Sequence, residues 1–144
     1  MKHIFARLFL LVSSGLTQLA VACSCPSTVP TEQQAVDSFL QDASLVFVGK
    51  VSASMLPSLR QAKRSFRFDV QENFKGATSS SVVVFSALSS AECGTTVAPG
   101  KTYLVVAYGP ANEALIRACE RPAEIEFVSA RLAILRERRA RRNF

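Results

Sequence analysis

Apolar positions fall into short runs whose period changes along the chain. Leu45-Val46-Phe47-Val48-Gly49-Lys50-Val51 is almost continuously apolar, which predicts a β-strand buried on both faces at its start. Gly49 inside that run predicts a bulge or sharp bend. From Arg64 to Phe74 the pattern alternates, with Phe66, Phe68 and Val70 on one face and Arg67, Asp69 and Gln71 on the other. Ser81 to Ser86 predicts a third strand and Tyr103 to Tyr108 a fourth. After the turn at Gly109-Pro110-Ala111-Asn112, Ala114 to Cys119 is expected as a fifth.

Two segments carry helical spacing instead. Thr31 is suited to cap a short helix with Glu32 or Gln34 in its first turn. Ala35, Val36, Phe39 and Leu40 form its apolar stripe, and it should end near Ala43. A second helix is expected from Pro122 onward, with Ile125, Val128, Leu132 and Leu135 on one face. Between the strands, Ser52 to Lys63 reads as a long loop or exposed hairpin end, and Ala87 to Gly100 as irregular chain. Five short strands flanked by two helices predict a mainly β domain, a five-stranded OB-fold Greek-key barrel with a short N-terminal and a C-terminal helix.

The first 22 residues stand apart from this pattern. Lys2, His3 and Arg7 precede a broken apolar stretch that ends Ala20-Val21-Ala22, the small residues a signal peptidase needs, so residues 1–22 are expected to be a secretory signal. Ser13, Ser14, Gly15, Thr17 and Gln18 interrupt the stretch and make it a poor membrane span. Cleavage after Ala22 leaves a chain that begins Cys23-Ser24-Cys25-Pro26. The barrel domain is then expected over residues 23–135, with residues 136–144 as a basic helix end or tail.

The four cysteines, Cys23, Cys25, Cys93 and Cys119, all follow the expected cleavage point. An even count in an oxidising compartment predicts two disulfides. A four-thiolate metal site is less consistent, because the second pair is far wider than structural zinc spacing. A Cys23–Cys25 bridge would be badly strained, so each is expected to reach separately to Cys93 or Cys119, in either arrangement. Loops of roughly 70 to 95 residues would be closed, worth at most about 4 to 5 kcal/mol in the chain-entropy model.

Charge and residue inventory narrow the chemistry. The formal net charge is +6, but Lys2 and Arg7 leave with the signal, and Arg136, Arg138, Arg139, Arg141 and Arg142 crowd the end of the chain. The body from Cys23 to Leu135 balances ten basic against ten acidic side chains. Basic charge confined to one terminus is not a nucleic-acid footprint, and the arginine run is expected to be a solvated, frayed helix end. The one histidine, His3, lies in the signal. Without imidazole, nucleophilic triads, histidine-ligated zinc and the usual base near neutral pH are all missing, and no catalytic residue or cofactor is expected. Glu124 and Glu126 fit a helix start, where acids favour the dipole.

Cys23-Ser24-Cys25-Pro26 after a signal, followed by a short helix and Asp42-Ala43-Ser44-Leu45-Val46-Phe47-Val48-Gly49-Lys50-Val51, resembles the inhibitory domain of the tissue inhibitors of metalloproteinases. Phe74-Lys75-Gly76, Cys93-Gly94, Gly100-Lys101-Thr102-Tyr103-Leu104-Val105 and the late Cys119 occur in the matching order. The single-domain build resembles a bacterial relative of that family. The resemblance implies an OB-fold, also called netrin-like, and bridges Cys23–Cys93 and Cys25–Cys119. It also implies a monomer whose partner is a zinc metalloprotease. The α-amine and carbonyl oxygen of Cys23 would chelate the protease zinc, and Ser24 would enter the S1′ pocket. Cys25, Pro26, Ser90, Ala91, Glu92 and Cys93 would form the inhibitory edge. The chain has no cysteines for the third disulfide that such domains carry.

Two other expectations compete with inhibition. One is a netrin-like extracytoplasmic binding or structural module without inhibitory activity. The other is a lipoprotein anchored at Cys23, which would acylate the amine, occupy the thiol and touch a membrane; the even cysteine count and a weak lipobox weigh against it.

Overall fold

Thr31 starts the first helix as its sequence promises. In the computed structural model, which describes residues 23–55 and 63–142, the Thr31 side chain accepts from the Gln34 N–H and the Gln34 side chain accepts from the Thr31 N–H. This reciprocal pair satisfies two backbone donors that a helix start leaves open. The helix α1 runs Glu32–Asp42 and ends at Ala43, whose backbone is extended. Its last carbonyls, on Leu40 and Gln41, accept from Lys75 Nζ at 2.8 and 3.2 Å, a cation at the negative end of the helix dipole. The expected signal, residues 1–22, and residues 56–62 of the expected Ser52–Lys63 loop lie outside the described residues, while Ser52–Met55 and Lys63 belong to strands rather than to a loop.

Five strands follow: β1 Leu45–Met55, β2 Lys63–Lys75, β3 Ser81–Ala87, β4 Thr102–Ala107 and β5 Ala123–Glu124. They form one antiparallel sheet in the order β3-β2-β1-β4-β5. The central strand β1 is buried on both faces at its start. Val46 and Val48 pack with α1 and with the second helix α2 (Ser129–Arg142), through Val36, Phe39, Leu132 and Leu135. Leu45 and Phe47 point the other way, to Phe66, Phe68, Val84 and Val105. Phe47 meets Phe68 edge to face, ring centroids 5.7 Å apart, a favoured aromatic geometry.

Gly49 sits where the β1–β2 register slips, between Val48 and Gly49. A Cβ there would lie 2.9 Å from the Phe47 ring and 3.1 Å from Phe68 Cβ, so the aromatic pair is packed against bare backbone.

Several expectations need correction. The expected strand Ala114–Cys119 is not a strand. Only Leu115 bridges, antiparallel to Tyr108 and parallel to Phe85, with Phe85 N donating to Ala114 O and Ile116 N to Phe85 O, both at 2.8 Å. Beyond Ile116 a turn, Glu120 N to Arg117 O, and the bridge at Cys119 take the chain off the ladder. The five strands therefore make an open sheet rather than a barrel closed by a full strand. The second correction concerns Pro122 onward. Ala123 and Glu124 pair with Leu104 and Tyr103 as β5, and a 3-10 turn, Ile125–Phe127, precedes α2 at Ser129. Ladder pairing wins over helical spacing there, which leaves Ile125 exposed while Val128, Leu132 and Leu135 are buried.

The arginine run is largely solvent-exposed as expected, but it is regular helix to Arg142 and ion-paired rather than frayed. Arg136 and Arg139 both reach Glu72 on β2, Arg138 reaches Asp37 on α1, and Arg141 pairs with Glu137 one turn back. Arg131, earlier in the helix, pairs with Glu32 at 2.6 Å. The helix is thus held by its apolar stripe and stitched along its edges.

Candidate functional site

Residues Cys23 to Pro26 lie on the surface, every one of them exposed. Their sequence gives them no regular structure: Pro26 has no N–H, and the stretch before Thr31 pairs with no strand. What holds them is covalent. Cys23 is bonded to Cys93 with Cα atoms 5.7 Å apart, and Cys25 to Cys119 with Cα atoms 5.5 Å apart. Of the two pairings left open by spacing, the chain adopts the one the family resemblance implies. Alternate residues of a short extended segment are thereby pinned to two separate loops, and Ser24 is carried between the pins.

The loop bearing Cys93 is itself tightly built. Ser89 and Glu92 form a capping box around the short 3-10 turn Ser90–Glu92; the Glu92 carboxylate accepts from the Ser89 N–H at 3.2 Å and the Ser89 hydroxyl at 3.0 Å. Cys93 ends the turn in the left-handed region, φ 66°, an uncommon conformation for a residue with a side chain. Gly94 then backs onto β3, and a Cβ there would stand 2.3 Å from Ala87 O. Thr95 N donates to the buried Ser86 hydroxyl at 2.8 Å, Val97 is buried, and Ala98 N donates to Tyr103 Oη at 3.0 Å. The expected irregular stretch is irregular but anchored at each end to the sheet. Ser86 and Tyr103 are the anchors that sequence reading did not flag; the one signal available was a hydroxyl closing the apolar run of β3.

The Cys119 loop has a different footing. The Arg117 guanidinium lies 3.6 Å above the Tyr108 ring, a cation–π contact at a buried aromatic. Burial first, and the neighbouring Glu120 carboxylate second, push the Tyr108 phenol above its ordinary range. Tyr108 Oη and Glu120 Oε2 are both buried, and neither completes a hydrogen bond within the protein. Arg121 Nε donates to Ala118 O at 3.2 Å.

Of the residues expected at the site, Cys23 and Cys93 are joined directly, and Ser90, Ala91 and Glu92 form the turn immediately before Cys93. Cys25 and Pro26 lie at the other pin, over a groove of about 440 Å³ bounded by α1, β4 and Cys119. Among the described residues no cluster of three or more histidine, cysteine or carboxylate side chains is arranged to hold a metal, and no helix is long and apolar enough to cross a membrane. Neither a protein-family model nor a curated protein matches the chain.

Proposed function

We propose that this chain is a secreted inhibitor of zinc metalloendopeptidases, acting through the free α-amine and carbonyl oxygen of Cys23. The observation that carries the reading is the double clamp: two disulfides fix an exposed Cys-Ser-Cys segment beside an anchored turn. On the resemblance to the tissue inhibitors of metalloproteinases, the amine and carbonyl of Cys23 chelate the protease zinc, Ser24 enters the S1′ pocket, and Cys25, Pro26 and Ser90–Cys93 line the contact edge.

The chemistry suits an N-terminal amine. Its pKa of about 7.7 to 8 lets it offer a lone pair near neutral pH at little cost, which a lysine would resist. A chelating backbone already fixed by two bridges has little ordering entropy left to lose on binding. The Cys23–Cys93 bridge also leaves no Cys23 thiol for a lipid, which disfavours a lipid anchor.

An OB-fold is the architecture that goes with this reading. Leu115 supports it, because it hydrogen-bonds Tyr108 just beyond β4 and lies parallel to Phe85 of β3, at the seam where a five-stranded Greek-key barrel closes. Two disulfides in a small domain fit an extracytoplasmic setting. The test is inhibition of a broad panel of purified zinc endopeptidases by protein whose N-terminus is confirmed as Cys23. Stoichiometric inhibition of at least one is expected; inhibition of none leaves the netrin-like module without inhibitory activity.

A further inference from the structure

Beside the Cys93 turn lies a second feature, an open pocket of about 530 Å³ where the start of β2 meets the 89–96 loop and the Arg121–Pro122 corner. We infer that this pocket is an oxyanion site that receives a side-chain carboxylate of a docking polypeptide. Two guanidinium groups, Arg64 and Arg121, line it together with the hydroxyl residues Ser89, Ser90, Thr95 and Thr96, and no acidic residue lines it.

Neither arginine is neutralised. Among the described residues, every ion pair of an arginine is made by an arginine of α2, and neither Arg64 nor Arg121 is in one. Glu92, in the turn beside the pocket, is already engaged by the Ser89 N–H and hydroxyl. Each guanidinium is instead fixed by one backbone carbonyl. Arg64 Nη2 donates to Leu88 O at 3.0 Å and Arg121 Nε to Ala118 O at 3.2 Å. Arg64 Nε is buried with no acceptor in the protein, a costly state for a charged donor. Anchored guanidinium groups with donors to spare, among hydroxyls, suit a planar carboxylate, which accepts in pairs.

That the carboxylate arrives on a polypeptide rests on the docking role proposed above, since the pocket shares Ser89 and Ser90 with the turn leading to Cys93; the preference for an anion does not rest on it. A protease carrying Asp or Glu beside its cleft would be held at two points, at its zinc and at this pocket.

The experiment follows the arginine Nε–H NMR signals of isotopically labelled protein. It is titrated separately with acetylated, amidated tri-glutamate, with the tri-alanine analogue and with sodium phosphate at matched ionic strength. Tri-glutamate should shift the Arg64 and Arg121 signals saturably, and tri-alanine should not. Arg121→Gln, a change at an exposed side chain, should weaken tri-glutamate binding roughly tenfold or more, and Arg121→Lys by less. No saturable shift, or equal affinity in Arg121→Gln, overturns the site. Saturation by phosphate with tri-glutamate inert overturns the polypeptide ligand. The same titration on protein extended by one N-terminal alanine should give unchanged affinity, so failure of zinc chelation and failure of the pocket are read separately.

Discussion

Arg136 of α2 and Glu72 of β2 face each other in a two-pronged ion pair, and Arg139 joins the same carboxylate at 3.3 Å. The pair ties a helix near the end of the chain to a strand that is more than sixty residues earlier in sequence. The Arg136 hydrogen bonds, against the opposing effect of burial, hold the Glu72 carboxyl below its ordinary range. A carboxyl depressed in the folded state contributes stability that is complete above the unfolded value of about 4.3 and is lost as pH falls through the lower folded value. Glu72→Gln should therefore be less stable than the parent at neutral pH, and the two should converge as pH drops from about 5 to about 3. Urea unfolding across that range checks it; equal midpoints at neutral pH would remove the pair from the account.

Gly94→Ala should loosen the Cys93 turn. The added methyl meets two backbone carbonyls, Ala87 O at 2.3 Å and Ser89 O at 2.8 Å, and backbone has little room to retreat. The expected loss is about 1 to 3 kcal/mol, in the range of overpacking elsewhere, read from denaturant midpoints. A variant of parental stability would show that the loop is less constrained than its contacts imply.

Replacing Cys25 and Cys119 together by alanine removes one clamp without leaving a lone thiol. The bridge spans a sequence separation of 94, so the loss should approach about 4 to 5 kcal/mol at most, seen as a lower midpoint in calorimetry. If the midpoint does not move, the segment is held by something other than its bridges.

Much of this was legible in the sequence, for identifiable reasons. Thr31 with Gln34, the alternation Phe66-Arg67-Phe68, and the apolar run from Leu45 are local signals, and each structure they predict is formed. Errors came where a distant partner decides. Ala123 and Glu124 favour helix on their own, and pairing with β4 makes them a strand instead. Leu115 and Ile116 look like strand, but the Arg117–Glu120 turn and the Cys25–Cys119 bridge end the ladder early. The arginine run is solvated as expected, but its ion pairs were not legible because the acidic partners Glu72 and Asp37 lie more than sixty residues away in sequence. At the site, the even cysteine count predicted two bridges, while spacing could not choose between the pairings.

Ser24→Gly tests the side chain carried between the two pins. Ser24 is exposed, so stability should be unchanged within about 0.5 kcal/mol. On the proposed mode of inhibition, the rank order across several zinc endopeptidases should nevertheless change, because the side chain assigned to the pocket is gone. An unaltered rank order would count against Ser24 as the residue that enters the pocket.

The most direct measurement compares protein that begins at Cys23 with the same protein carrying one added N-terminal alanine, both verified by intact mass and assayed against the same zinc endopeptidase. The extension converts the amine into an amide that cannot chelate, while leaving both disulfides in place. Inhibition by the first and its loss in the second, with equal thermal stability, is the predicted result. Equal inhibition by the two would contradict chelation through the Cys23 amine.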